Sequence, residues 1–341
     1  MMRNKSTNGR HGKGRHAIVI LFVVNESSGN GRGRKIWRQV KQELRRRSIS
    51  YRVVAAATEA ESARQTKAAI DSGDLKAIAI IGGDGSLHSL LPHLAGSGIP
   101  IGLIPSGSGN DNALTFGIPR NPMKALDIVL NGQPRAADLI ATIEAPPAGA
   151  HNTPHAFDSA GSPSSPPRYS STAIAVGLDG AVADDVNRSR YKRWCNRLGV
   201  GSLAYLIGLL RMLAVFKPQR IAVTVDGERR EFERGWLVAI ASHPTYGGGL
   251  RICPDARADD GELHVCVVHD CSALRILSVF PTILNGSHVK QPYVAMLRGK
   301  SVLIEAPRPL LAFGDGEPVG RTTIRADVHA GQLLFLTAAS G

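Results

Sequence analysis

The chain has 341 residues, with 41 Lys and Arg against 28 Asp and Glu, a formal charge of +13, 43% apolar and 20% charged residues. That balance excludes global disorder, and the length accommodates about two domains with substantial cores. The positive charge points to an anionic partner, whether nucleotide phosphate, nucleic acid or an acidic membrane surface, without choosing among them.

Residues 1–16, "MMRNKSTNGRHGKGRH", form a basic tail expected to be disordered. The apolar run "AIVILFVV" that follows is short and lacks a small-residue cleavage site, so it reads as a strand and not as a secretory signal. Further strand patterns fall at 51–58, 76–81 and 99–105, with helical patterns at about 34–48, 59–72 and 86–95. Continuously apolar strands alternating with helices predict a parallel sheet covered on both faces, hence a three-layer α/β domain over 17–134. Leu87, Leu90, Leu91 and Leu94 follow the i, i+3, i+4, i+7 pattern and are expected in its core.

A helix pattern at "NPMKALDIVLNG" leads into "PRAADLIATIEA". The composition then changes: "PPAGAHNTPHAFDSAGSPSSPPR" (146–168) reads as an inserted flexible loop. Residues 135–341 otherwise read as a β-rich domain. Strands flank a turn at Asp226-Gly227, and others fall at 262–269, 301–306, 321–328 and 332–338, with helices at about 200–215 and 272–285. The helix "LGVGSLAYLIGLLRMLAVF" is interrupted by Arg211 and too short to span a bilayer. Arg188, Arg190, Lys192, Arg193 and Arg197 precede it, an arrangement that suits either anionic headgroups or plain solvation. Cys195, Cys253, Cys266 and Cys271 form no Cys-x-x-Cys pair and read as reduced, in a cytoplasmic protein.

Each of the first four strand patterns runs into a polar or glycine-rich turn: "VVNESSGNGRGRK", Thr58, "GGDGS" and "PSGSGND". In an open parallel sheet these turns share the carboxyl edge, where ligands bind. Gly82, Gly83 and Gly85 leave backbone N–H groups bare for a phosphate, and a helix opening at Ser86 adds its positive end. Asp84 can hold Mg²⁺ through the phosphates. Taken alone, Asp84-Gly85 is equally a tight turn. Ser108, Gly109, Asn110 and Asp111 offer a second polar loop, although Ser108, Asn110 and Asp111 are each good helix caps.

"GGDGS" with "PSGSGND" resembles the diacylglycerol kinase catalytic-domain superfamily, whose pattern is Gly-Gly-Asp-Gly-Thr followed by Pro-x-Gly-Thr-x-Asn-Asp. Serine stands for threonine at Ser86 and Ser108. The resemblance continues through "VGLDGAV", "GSLAYLIGLL", "GGGLRICPDARADDGELHV" and "FGDGEPVG". It departs at "NES", where the family has Asn-Pro, and at the insert. It implies an α/β nucleotide-binding domain like those of NAD kinases and phosphofructokinases, followed by a β-rich, sandwich-like domain. It further implies an ATP- and Mg²⁺-dependent lipid kinase acting on diacylglycerol or a related lipid, peripheral at the inner face of an anionic membrane.

On the same basis the nucleotide would contact Asn25, Thr58, the loop of Gly82, Gly83, Asp84, Gly85, Ser86, Leu87 and His88, and Ser108. A structural Mg²⁺ would be held by Asp260 with backbone oxygens of Arg257 and Glu262, where spacing alone suggests only a hairpin. Phosphoryl transfer to an alcohol needs a carboxylate to accept the hydroxyl proton, and Asp315 and Glu317 of "FGDGEPVG" are both candidates, the family leaning to Glu317. Alternatives are a soluble NAD or sugar kinase with the same loop, or a non-catalytic nucleotide- or nucleic-acid-binding protein. No nucleic-acid-binding motif supports the latter. A homodimer is compatible with the sequence.

Overall fold

The computed structural model describes residues 19–145, 166–189 and 201–339. The basic tail, nearly all of segment 146–168, and Arg190, Lys192, Arg193, Cys195 and Arg197 lie outside them. Strands β1 (Val19–Val24), β2 (Tyr51–Val54), β3 (Leu75–Gly82) and β4 (Ile101–Pro105) pair in parallel in the spatial order β4-β3-β1-β2. The apolar residues of β1, β3 and β4 are mostly buried on both faces, as a sheet covered by helices requires, while edge strand β2 leaves Val53 exposed. One cover is α1 (Ser28–Arg46), which seats Ile36, Trp37, Val40 and Leu44 on the sheet. From β1 the chain crosses to β2 on one flank, and from β3 to β4 on the other. The loops after β1 and β3 therefore diverge at a switch point, which opens a crevice at the carboxyl edge.

The helix expected over 86–95 is two short ones, α3 (Asp84–His88) and α4 (Leu91–Leu94). Pro92 lacks an N–H and its ring would meet the carbonyl of His88, so one continuous helix cannot form. All four leucines are nevertheless buried, at 1% exposure or less. The second strand ends at Val54, short of the expected Thr58. Thr58 instead caps α2 (Glu59–Asp71), its hydroxyl accepting from the backbone N–H of Glu61 at 3.3 Å.

After α5 (Asp111–Thr115) and α6 (Pro122–Asn131) come β5 (Gln133–Glu144), β6 (Arg168–Ser170), β7 (Ala173–Gly177) and α7 (Leu178–Arg188). Next are α8 (Gly201–Val215), β8 (Gln219–Val225), β9 (Glu228–Ala241), β10 (Leu263–His269) and α9 (Ala273–Val279). The chain ends with β11 (Val294–Gly299), β12 (Ser301–Glu305), β13 (Leu311–Gly314), β14 (Glu317–Arg321) and β15 (Ile324–Thr337). The expected strands at 321–328 and 332–338 are the single strand β15, with a register shift between His329 and Leu333. It runs antiparallel to β5 and meets β4 in parallel at Phe335↔Ile101. Leu333 and Phe335 consequently complete the core of the N-terminal half.

The C-terminal half has two apolar layers because its strands alternate. Val265 and Val267 of β10 face a core shared with Ile221, Val223, Val302 and Ile304. Cys266 and Val268 face the opposite side, covered by α7, α8 and α9. The helix expected over 272–285 is α9 followed by a 3-10 turn, Phe280–Leu284, where Pro281 ends the α-helical pattern. Among the described residues no helix is long and apolar enough to cross a membrane.

Candidate functional site

Asn25, directly after β1, ties two loops of the crevice together. Its Nδ2 donates to Ser86 Oγ at 2.9 Å, while its Oδ1 accepts from Ser27 Oγ and the backbone N–H of Ser28. The next residues leave helical geometry, with φ of 57°, 58° and 84° at Gly29, Asn30 and Gly31. This detour lays Gly29 on Ser106, where a Cβ would come 1.9 Å from the carbonyl oxygen. The Ser28 and Ser106 hydroxyls are also hydrogen-bonded. Gly83 and Gly107 meet back to back, a Cβ on Gly107 falling 2.7 Å from the Gly83 Cα. These glycines are required by loop-on-loop packing. Gly85 is different: a Cβ there would meet nothing within 4 Å, so its backbone faces open space. Ser108 is exposed, Gly82 and Leu87 are buried, and Leu87 offers the crevice only its backbone.

Asp84 does not simply project into that space. Its carboxylate accepts from the backbone N–H groups of Asp111 (3.1 Å) and Asn112 (3.2 Å) and from Asn112 Nδ2 (3.1 Å), stitching "GGDGS" to "PSGSGND". Asn110 closes the second loop from a left-handed conformation, exchanging hydrogen bonds with the backbone of Gly107. The Asp111 carboxylate accepts from Gly248 N (2.8 Å) and Gly249 N (2.9 Å), in a segment whose three glycines all have positive φ. Such a run turns successive N–H groups toward one anion. Gly247, Gly248 and Gly249 thus link the C-terminal half to the crevice, a role their sequence alone did not reveal. Burial pushes Asp111 up to about 6, and the neighbouring Asp84 charge adds to the rise against the two N–H donors.

Across Gly109 the two carboxylates converge: a Cβ there would lie 3.1 Å from Asp84 Oδ2 and 3.4 Å from Asp111 Oδ2. Facing carboxylate oxygens with one pKa raised are a donor set that fits a hard divalent cation. Replacing Asp84 with Asn would turn an amide N–H toward donors. The expected result for Asp84→Asn is a stability loss of about 1–3 kcal/mol, measured by urea denaturation.

Asp315-Gly316 is a hairpin turn, with φ of 52° and 89° between β13 and β14, and it is also part of the site. The Asp315 carboxylate is fully buried and accepts from Ser171 N (2.7 Å), Ser171 Oγ (3.2 Å), Thr172 N (2.9 Å) and the Thr172 hydroxyl. His88 Nδ1 lies 3.2 Å away. These partners occupy both oxygens of Asp315, whereas Glu317, the other candidate base, is exposed and near enough to His88 to act on its charge. Ser171 and Thr172 carry no sequence signal for this role.

Burial opposes charging His88, but Asp315 outweighs it and the histidine pKa rises above its ordinary 6.5. Burial likewise opposes the Asp315 charge, and the His88 contact with the Thr172 and Ser171 donors outweighs it, so that pKa falls. A raised histidine contributes stability that is complete below 6.5 and lost as pH climbs through the folded value. The melting temperature is therefore expected to decline above pH 6.5, and His88→Gln to flatten that decline, as a thermal scan at several pH values will report.

Asp260, Glu262 and His264 each bring a ligand atom within 4.8 Å of the others. Asp260 Oδ1 accepts from Glu262 N at 3.1 Å and its Oδ2 lies 3.5 Å from His264 Nε2. The turn carrying them is fixed by buried Asp138, which accepts from Gly261 N (2.7 Å) and Gly331 N (2.9 Å). The Arg257 side chain points to Asp259, at 3.7 Å. His264 was not among the expected ligands, although the Asp-x-Glu-x-His alternation at a strand start is its visible signal.

Residues 19–142 match the family described as diacylglycerol kinase catalytic domain, and residues 172–337 match the YegS C-terminal NAD kinase beta sandwich-like domain. A curated protein of Mycobacterium tuberculosis strain H37Rv, named diacylglycerol kinase, is 31% identical over 305 residues, covering 89% of this chain and 90% of its own. The diacylglycerol kinase of Bacillus subtilis strain 168 is 24% identical over 300 residues, covering 87% and 88%. A crystal structure from Bacillus anthracis strain Sterne, titled a diacylglycerol kinase, superposes with a TM-score of 0.64 at 15% identity, covering 94% of this chain and 97% of that one. Another from the same strain reaches 0.71 at 18% identity, covering 94% and 98%. These structural likenesses concern the fold.

Proposed function

We propose, from the premise that this chain belongs to the diacylglycerol kinase catalytic-domain family, that it transfers the γ-phosphoryl group of ATP to a hydroxyl of diacylglycerol or a closely related lipid. Membership makes it a lipid kinase, hence a phosphotransferase. The observation that carries the finer reading is the juxtaposition of His88, from the "GGDGS" loop, with the Asp315 hairpin that presents exposed Glu317.

In this reading the bare backbone around Gly85 and the hydroxyl of Ser108 bind the nucleotide phosphates. Asp84 and Asp111 would hold Mg²⁺, which would supply neutralisation of charge on the transferring phosphoryl group. The Asp111 grip by Gly248 and Gly249 aligns the lipid-binding half with the nucleotide. Glu317 accepts the proton of the lipid hydroxyl as its oxygen attacks, and the buried Asp315 keeps His88 and the hairpin in register. Positioning and electrostatics carry most of the rate, since little covalent chemistry falls to the protein.

The test is incubation with radiolabelled ATP and micellar diacylglycerol, sphingosine, ceramide, phosphatidylglycerol and polyprenol, with NAD and a sugar phosphate in parallel. Phosphorylated diacylglycerol, or another lipid of the panel, is the expected product. Turnover confined to NAD or the sugar phosphate would sink the proposal.

We assign Asp260 and Glu262, with His264 beside them, to a second cation position of structural purpose. Millimolar Mg²⁺ is then expected to raise the melting temperature by binding the folded state, and Asp260→Ala to reduce that rise by the share of this second position. An equal Mg²⁺ response in both proteins would count against it.

A further inference from the structure

Of the large apolar side chains exposed among the described residues, Leu210 and Val215 lie on α8, Leu274 and Leu277 on α9, and Leu284 on the 3-10 turn after it. Leu274 is 78% and Leu284 64% exposed. Leu209, Ile276 and Phe280 of the same elements pack inward on one core, over the outer face of β7, β9 and β10. The opposite sides of all three elements consequently emerge on one side of the molecule. Solvated helices carry charge on that side, whereas this one carries leucine at 274, 277 and 284.

Its rim is basic. From Cys271 to Ile304 there is no acidic residue, while Arg275, Lys290, Arg298 and Lys300 are cationic. Arg251, Arg275 and Lys290 are exposed around the stripe, and Arg251 N donates to the carbonyl of Ile283 at 3.0 Å. Of the nearby acids, Asp184 pairs with Arg188, Asp185 with Arg211, and Asp270 with His269, while Asp255 is exposed and is outnumbered by the cations of the rim. The loop joined to the 3-10 turn through Arg251 also carries Gly248 and Gly249, which hold Asp111. The leucine face therefore runs up to the lip of the crevice.

We propose that the outer face of α8, α9 and the 3-10 turn, led by Leu274, Leu277 and Leu284 and rimmed by Arg251, Arg275 and Lys290, docks on an anionic phospholipid bilayer. Leucines enter the headgroup boundary and the cations engage phosphate, as on an interfacial amphipathic helix. The proposal rests on the lipid kinase reading for its purpose, delivery of a membrane-borne hydroxyl to Glu317, but its physical content is separable.

Vesicle binding is measured without nucleotide, on phosphatidylglycerol–phosphatidylcholine and on pure phosphatidylcholine vesicles. Leu274→Ser with Leu284→Ser is expected to weaken binding at least about tenfold. Arg275→Gln with Lys290→Gln is expected to weaken it about fivefold per cation, on the anionic vesicles only. Both variants should keep wild-type near-ultraviolet circular dichroism and wild-type turnover on dispersed short-chain diacylglycerol. If the double serine variant misfolds, Leu274→Gln alone serves. Three results overturn docking: a wild type that ignores anionic vesicles, folded leucine variants that bind undiminished, or a wild-type dimer that those variants make monomeric while binding vesicles as before. The kinase reading is separable, since it fails only when the lipid panel stays unphosphorylated, whatever the vesicles show.

Discussion

Glu317→Gln is expected to lower lipid phosphorylation about a hundredfold to ten-thousandfold while leaving the melting temperature and ATP affinity at wild-type values. The glutamine keeps the shape of the side chain and its position on an exposed strand start, and it removes only the ability to accept a proton. The fold depends little on the carboxylate: no hydrogen bond or ion pair among the described residues uses it, and its charge on His88 comes second to that of Asp315. The loss should fall on kcat and not on KM for ATP, as for an interaction made in the transition state alone. A rate within threefold of wild type under saturating lipid would remove Glu317 from the role of base.

Asp315→Asn should have the opposite profile, a stability loss of about 3–5 kcal/mol accompanied by lost activity. Ser171 N and Thr172 N donate to different oxygens of this buried carboxylate, and both hydroxyls and His88 join them. An amide offers one acceptor oxygen and turns its own N–H toward the remaining donors, leaving buried groups unpaired. His88 would also lose the anion that raises its pKa, so the pH dependence above 6.5 should shrink in this variant as it does in His88→Gln. Urea denaturation across pH separates the two effects. Wild-type stability in Asp315→Asn with abolished turnover would reinstate Asp315 as a direct participant.

The contrast between these neighbours marks where the sequence could be read and where it could not. "GGDGS" and "PSGSGND" lie in order on successive strands, and apolar runs alternating with helices already imply that both loops share an edge. The glycines were legible as special, but for one reason where the structure has two: Gly85 faces open space, whereas Gly29, Gly83 and Gly107 permit loops to touch. Asp84 read as a metal partner is also the acceptor that ties those loops together. Thr58 read as a strand end is a helix cap, since both places favour the same residue.

Local chemistry thus determined what the sequence could declare by itself: the alternation of buried strands and helices, the polar turns between them, and a family pattern long enough to be specific. Tertiary structure alone decided which carboxylates are buried and hydrogen-bonded and which are open. Asp315 and Glu317 are two residues apart and chemically alike, and the segment that distinguishes them, Ser171-Thr172, lies 143 or more positions away in the chain. The same holds for Asp111, whose partners Gly248 and Gly249 come from the other half. Burial and hydrogen-bond saturation are properties of a neighbourhood assembled by folding, and no local window of sequence contains it.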